Sequence, residues 1–223
     1  MGRMIAIGDI HGYLEPLQQL MAQLALSSSD HVVFLGDYID RGDQSAQVIE
    51  YLIAFGKQHP QTTFLRGNHE QMLLWCLDVP EYLDYWCKYG GAQTLQSYGL
   101  PCIAASLHQL PSSHLAWLNQ TSYFLETDEY LLVHGLPQAE RPLDEQSPDD
   151  YLWQHFQQQA DHQSGKVVIC GHTPQDQFPI QHGRSICIDT GIYRGGWLTA
   201  LDVNNRQYIQ VNVEQQIRLG GLG

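Results

Sequence analysis

Five short apolar runs frame this chain, and each ends in a polar cluster. Residues 3–7 (RMIAI), 32–35 (VVFL) and 62–65 (TTFL) are nearly continuous stretches of apolar or β-branched residues, the pattern of short strands buried on both faces. Leu14, Leu17, Leu20, Met21 and Leu24 recur three and four residues apart, as do Val48, Ile49, Leu52 and Ile53. Each gap between the runs therefore predicts an amphipathic helix. A third helix is expected over residues 69–77. The order β-α-β-α-β implies parallel strands joined by right-handed crossovers. The second half reads differently: residues 130–133, 166–170, 185–188, 197–203 and 207–213 all read as strands with short connections. The pattern predicts one α/β domain over residues 1–223, with two packed mixed sheets flanked by helices. The aromatic-rich stretch 80–111 reads as a helical cap insertion. Residues 139–151 (AERPLDEQSPDDY) are polar and Pro-containing, hence a loop. The terminal GGLG is expected to fray, and there is no internal repeat.

Composition narrows the classes. The 223 residues are 43% hydrophobic, enough for a substantial core. No stretch approaches the length of a membrane span, and Asp9 and His11 interrupt the N-terminal apolar run. No basic segment leads into a long apolar one, so no secretory signal is expected. The formal net charge of −13 repels phosphate backbones and argues against a nucleic-acid partner. Cys76, Cys87, Cys102, Cys170 and Cys187 form an odd, scattered set without a CxxC pair. Reduced thiols in a cytoplasm are the expectation, not a disulfide framework or a Cys-based zinc site.

Candidate chemistry collects where the runs end. The first run is followed by Asp9 and His11, the second by Asp37, Asp40 and Arg41, the third by Arg66, Asn68, His69 and Glu70. Residues 130–133 lead to His134 and residues 166–170 to His172. Open α/β sheets bind ligands at the carboxyl ends of their strands. Asp9 to Asp37 spans 28 residues and Asp37 to Asn68 spans 31, about one βαβ unit each, so these ends should be neighbours. An Asp after Gly is ordinarily a turn residue, and a single His at a strand end is ordinarily solvated. Five such clusters in one chain, each after an apolar run, outweigh those readings. A carboxylate, imidazole and amide donor set suits Mn²⁺, Fe or Zn²⁺. Six donors exceed what one tetrahedral ion needs. Two ions about 3.5–4 Å apart, sharing a carboxylate, would use them all, and Asp37, in the central run, is the natural bridge. His31, His59, His108, His114, His162 and His182 sit in polar surroundings and read as solvated, and Trp75, Trp86 and Trp117 read as packing.

The motifs GDIHG, GDYIDRG, RGNHE, HG and GHTP resemble those of the PPP family of metal-dependent phosphoprotein phosphatases, in its small bacterial and phage-type members within the calcineurin-like metallophosphoesterase superfamily. Residues 86–99 (WCKYGGAQTLQSYG) and 188–201 (IDTGIYRGGWLTAL) extend the similarity over nearly the whole chain. The resemblance implies one divalent ion, most simply Mn²⁺, on Asp9, His11 and Asp37, and a second on Asp37, Asn68, His134 and His172. It implies His69 as general acid oriented by Asp40, with Arg41 and Arg66 beside the phosphate. The implied reaction is hydrolysis of phosphoserine or phosphothreonine in proteins or peptides, with phosphotyrosine as an extension, by a water shared between the ions. Two positions depart from the family. His134 is followed by Gly135-Leu136 instead of Ala-Gly, and His155 stands where a second phosphate-binding Arg follows a Trp. A dinucleoside polyphosphate hydrolase is the alternative, although that branch typically lacks the equivalent of Asp40 and has GNHD in place of GNHE. A non-catalytic metal-binding adaptor would have lost ligands, and none is missing.

Overall fold

Alternate residues of each central strand pack in opposite directions, which is why these strands carry apolar residues on both faces. The computed structural model describes residues 2–158 and 160–222. Its elements are β1 Met4–Ile7, α1 Leu14–Gln23, β2 His31–Phe34, α2 Ser45–Gln58, β3 Thr62–Phe64, α3 Asn68–Asp78, α4 Leu83–Trp86, α5 Ala92–Ser97, α6 Ala104–Leu107, α7 Ser112–Asn119, β4 Phe124–Glu126, β5 Tyr130–Val133, α8 Pro148–Trp153, β6 Val167–Cys170, β7 Ile180–His182, β8 Ser185–Cys187, β9 Leu198–Asp202, β10 Gln207–Val211 and β11 Ile217–Gly221. One sheet has the order β11-β10-β9-β1-β2-β3 and the other β4-β5-β6-β8-β7. Strands β1, β2 and β3 are parallel, as are β5, β6 and β8, while β4, β7 and β9 to β11 run antiparallel to their neighbours.

Ala6, Val33, Leu35 and Leu65 of the first sheet meet Leu132, Ile169, Ile186 and Ile188 of the second in a layer between the sheets. Ile5, Ile7, Val32 and Phe34 point the other way, against Leu17 and Leu20 of α1, Val48, Ile49 and Leu52 of α2, and the cap. Leu131, Val133, Val168 and Cys170 cover the outer face of the second sheet beneath Tyr151 and Phe156. The stack is helix, sheet, sheet, helix, and the parallel strands of both sheets end toward one edge.

Several expectations need correction. Strands β4, β7 and β11 carry too few alternating apolar positions to be read from sequence. Of the GGLG tail, Gly220 and Gly221 do not fray but pair with Tyr208 and Gln207 at the sheet edge, while Gly223 lies outside the described residues. Arg218 anchors that edge by stacking its guanidinium 3.9 Å from the Trp197 ring centroid. The polar segment 139–151 is not wholly loop, because α8 begins at Pro148. Ser147 and Asp150 cap α8 reciprocally, and Pro148 occupies its first turn, a start signal present in the sequence. His114 and His162 are buried, not solvated. His114 bridges Tyr98 and Glu50 at 2.8 and 3.0 Å. Nor are all five thiols free: Cys87 and Cys102 form a disulfide, leaving Cys76, Cys170 and Cys187 reduced and buried. A bridge across 15 residues of the cap has no spacing signature.

The first sheet is also clamped by Asp30, which precedes β2. Its carboxylate accepts hydrogen bonds from the Arg3 backbone N–H (2.8 Å) and guanidinium (2.7 Å) and from the Ser27 N–H (3.0 Å). The hydrogen bonds from Arg3 lead in holding Asp30 well below the ordinary carboxylate range, against the opposing effect of burial. A depressed folded pKa contributes stability that is complete above the unfolded pKa, about 3.9, and is lost as pH falls below it. Asp30→Asn is expected to cost about 1–2 kcal/mol at neutral pH, a modest figure because the Arg3 side chain is partly solvated. The gap to wild type should close on acidification below about pH 4. Urea midpoints against pH for both proteins check this; a gap that persists in acid would contradict it.

Candidate active site

The loop after β2 is built around one buried glutamate. Glu70, in the first turn of α3, accepts hydrogen bonds from the backbone N–H groups of Asp37 (2.8 Å), Tyr38 (2.8 Å) and Gly67 (2.9 Å). Those donors lie on two different loops, so one carboxylate locks GDYID to RGNHE. An Asp at this position would be one methylene too short to span both. Of the eight non-glycine residues with left-handed φ among those described, five are His11, Asp37, Asp40, Arg41 and His172. Such backbone costs on the order of 1–3 kcal/mol per residue and is characteristic of functional sites. Four of the five, His11, Asp37, Arg41 and His172, line one cavity of about 300 Å³ together with Asn68, His69, Trp153, His155 and Asp189, with Tyr85 and Tyr89 at its mouth, while Asp40 lies fully buried behind it.

Asp37 occupies the centre. Its Oδ2 lies 3.5 Å from His11 Nε2 and 3.8 Å from His69 Nε2, and its Oδ1 lies 3.3 Å from His134 Nε2. Two donor groups result, His11–Asp37–His69 and Asp37–His134–His172, with donor atoms within 4.8 Å of one another. They share only Asp37. Asn68 Oδ1 lies 2.9 Å from both His134 Nε2 and His172 Nδ1, completing the second set. His11 and His134 direct Nδ1 at the carbonyls of Ile39 (3.0 Å) and Leu35 (2.9 Å), which leaves Nε2 facing Asp37. This is the tautomer control expected of metal-ligating imidazoles. Asp9 accepts the backbone N–H of His172 at 3.2 Å and lies outside both tight clusters.

The electrostatics call for cations. Burial would raise the Asp37 pKa, but His134, His69, His11 and His172 together hold it well below the ordinary range. Burial and the neighbouring Asp189 and Asp37 push Asp9 well up. Burial, and then His134, lowers His172 to about 3, so it is a neutral imidazole ready to coordinate. Among the described residues, the only buried side-chain polar atoms without a partner are His172 Nε2 and Asp189 Oδ2, and both residues line this cavity. Crowded carboxylates, neutral imidazoles and orphaned donor atoms fit two divalent ions.

A model of the calcineurin-like phosphoesterase family matches residues 2–204. The chain belongs to that family. Solved structures agree in fold: this phosphoesterase superposes on a candidate diadenosine tetraphosphatase with TM-score 0.67 at 20% identity, covering 99% of this chain and 93% of that one. A cold-active protein-tyrosine phosphatase of a psychrophilic Shewanella gives 0.67 at 18% identity over 98% and 80%. A protein serine/threonine phosphatase from Saccharomyces cerevisiae gives 0.58 at 15% over 100% and 80%.

In the phosphoesterase, His69 Nδ1 lies 2.6 Å from Asp40 Oδ2. Asp40 is fully buried and accepts hydrogen bonds from Trp86 Nε1 (2.7 Å) and the Thr94 hydroxyl (2.6 Å). Burial lowers the His69 pKa, but Asp37 and Asp40 outweigh it, and the net shift is upward. Arg41 places Nη2 3.1 Å from His69 Nε2 and stacks its guanidinium 3.7 Å from the Tyr193 ring centroid.

Arg66 is not brought to the cavity. Its guanidinium donates to Thr121 Oγ1 (3.0 Å), Gln71 Oε1 (3.1 Å) and the carbonyls of Leu118 (3.3 Å) and Asn119 (3.0 Å), so it caps the carboxyl end of α7. His155 does line the cavity, exposed at its edge, its ring 4.9 Å from that of His172. Gly135 also finds a reason: a Cβ there would stand 3.1 Å from the carbonyls of Tyr151 and Gln154 at the end of α8. Sequence reading missed Trp86, Thr94, Asp189 and Tyr193. Trp86 and Thr94 lie inside the quoted stretch WCKYGGAQT, but nothing in their spacing tied them to Asp40.

Proposed function

We propose that this phosphoesterase dephosphorylates phosphoserine and phosphothreonine in proteins or peptides, with Mn²⁺ as the simplest choice of metal and Fe or Zn²⁺ as alternatives. The observation that carries this reading is the buried Asp40–His69 pair at 2.6 Å, facing the Asp37-centred donor sets. Serine and threonine leave as alkoxides, poor leaving groups that need a proton. A phosphoanhydride leaves as a phosphate and needs one far less. A dedicated general acid is therefore best explained by alkyl phosphomonoesters.

Two divalent ions, when bound by Asp9, His11, Asp37, Asn68, His134 and His172, supply Lewis-acid charge and an activated water. The chain's own groups do the rest. Asp40 fixes the Nδ1–H tautomer of His69 and stabilises its charged form. Once Arg41 Nη2, which lies 3.1 Å from His69 Nε2, turns to the phosphate, the protonated ring presents Nε2–H to the leaving oxygen. Arg41, braced by Tyr193, offers its fork to the equatorial phosphate oxygens. Tyr85, Tyr89 and Trp153 wall the approach.

A second reading, hydrolysis of dinucleoside polyphosphates, draws on an adjoining groove of about 480 Å³ that shares His155 and contains Gln138, Arg141, Gln154 and Gln157. It could take a second phosphate or a base. Mn²⁺-loaded enzyme assayed against a phosphoserine and phosphothreonine peptide panel and against diadenosine tetraphosphate separates the two. A higher kcat/KM on the peptides is expected; the reverse order would replace the first reading with the second. The acidic chain argues against nucleic-acid partners, and no described helix is long and apolar enough to cross a membrane.

A further inference from the structure

The rule that placed ligands at strand ends applies to one more strand. β8 is parallel to β6, with Cys170 opposite Cys187. His172 and Asp189 each lie two residues beyond that pair, so they leave the second sheet side by side. The first sheet meets them there: a Cβ on Gly8 would fall 2.8 Å from the Ile188 carbonyl oxygen. The next residues along, Asp9 and Asp189, therefore emerge at one junction between the sheets.

Asp189 is 2% exposed and lines the cavity beside His11, Asp37 and His172. Its Oδ1 accepts the Gly191 N–H at 3.0 Å, and its Oδ2 is buried without a partner. Among the described residues, no salt bridge reaches Asp9 or Asp189. Three buried carboxylates, Asp9, Asp37 and Asp189, share this corner. A buried oxygen with no hydrogen-bond donor is left with an uncompensated loss of hydration, larger if it is charged. A turn-forming role accounts for Oδ1 but not for Oδ2.

We propose that Asp189 is a positioning residue of the ion held on the Asp9–His11 side, its Oδ2 accepting a hydrogen bond from a water ligand of that ion. The inference rests on the two-ion reading of the site. It gives the apolar run 185–188 the same function as the other strand ends, and it explains why an acid whose Oδ2 has no hydrogen-bond partner persists at the sheet junction. It also makes the two ion sites unequal, since Asp189 is the one carboxylate besides the shared Asp37 among the described residues that line the cavity.

Manganese titration by calorimetry, with the electron paramagnetic resonance signal of bound Mn²⁺ recorded alongside, tests it. Wild type should show two sites. Asp189→Asn keeps an oxygen for the Gly191 N–H but presents an amide instead of a carboxylate oxygen. It should weaken one site about 10–100-fold, the usual cost of losing an outer partner, and leave the other unchanged. Metal-free Asp189→Asn should melt above metal-free wild type, because a like charge has gone, while the metal-loaded order reverses. An unchanged isotherm, equal weakening of both sites, or lower melting in both forms would overturn the proposal. If the amide variant does not fold, Asp189→Ser is read in the same way; failure of both to fold would make Asp189 structural and also overturn it. A wild type that binds no Mn²⁺ would remove the two-ion reading as well, whereas an intact two-site wild type with an unaltered Asp189→Asn would remove this inference alone.

Discussion

His69→Asn is expected to retain its bound metal and lose about 10²–10⁴ in kcat on alkyl phosphates such as phosphoserine peptides. The loss on p-nitrophenyl phosphate should be far smaller, because nitrophenolate leaves without a proton. The geometry makes the contrast specific. His69 is held at Nδ1 by Asp40 at 2.6 Å, and Asp40 is itself pinned by Trp86 and Thr94. The ring cannot turn without breaking that set, so Nε2 keeps one direction, beside Arg41 and Asp37. Asn at position 69 can still donate its backbone N–H to Asp37 Oδ1, now 3.1 Å away, and the start of α3 should survive. Asp40→Asn should show a smaller loss with the same substrate dependence, since it orients the imidazole without transferring the proton. Steady-state kinetics on both substrate classes, with metal content measured on the same samples, provide the check. Equal losses on both classes would exclude His69 as the acid and would return the side chain to the metal set that its distance to Asp37 also allows.

What the sequence made legible follows from where the physics is local. Strands β1, β2, β5 and β6 are buried on both faces, so burial wrote itself into uninterrupted apolar runs, and their ends could be read as ligand positions. Strand β11 is a sheet edge whose partners are the Tyr208 ring face and the Arg218 stack on Trp197, and neither is written in a local period. His11, Asp37, Asn68, His134 and His172, which the structure brings together, and Asp9, which lies outside their tight clusters, could be singled out because each follows its strand within a few residues. Trp86 and Thr94 reach Asp40 from the short helices that follow α3, across 46 and 54 residues, and no spacing rule connects them. Asp189 was missed although its strand was seen, because a lone Asp before Thr-Gly reads as a turn. Arg66 was assigned by motif to phosphate, and the carbonyls at the end of α7, which its own surroundings could not announce, claim it instead. Cys87 and Cys102 were left unpaired for the same reason: the cap's folded path, not their spacing, brings them together.

Asp37→Asn should abolish binding of both ions, where Asp9→Asn should remove one. The asymmetry follows from position: Asp37 is the only member common to the two donor groups, and it offers Oδ2 to one and Oδ1 to the other. Asn is a fair substitute for everything except charge and coordination. It tolerates left-handed φ better than most residues, so the 52° backbone angle is not a new source of strain. Its amide oxygen can still accept the His69 N–H, and its own backbone N–H still meets Glu70. The lost negative charge is the one facing four imidazoles, and an amide cannot bridge two cations as a carboxylate does. Removing two ions forfeits several kcal/mol of transition-state stabilisation, so activity should fall by at least about 10³-fold. The overall fold should persist, because Glu70 ties the two loops together and Asn at this position can still accept the His69 N–H. Elemental analysis after gel filtration, beside far-ultraviolet circular dichroism of the same variant, reads both halves of the claim. An Asp37→Asn protein that folds and still carries two ions per chain would place the bridge elsewhere, and one that fails to fold would give Asp37 the structural role assigned here to Glu70.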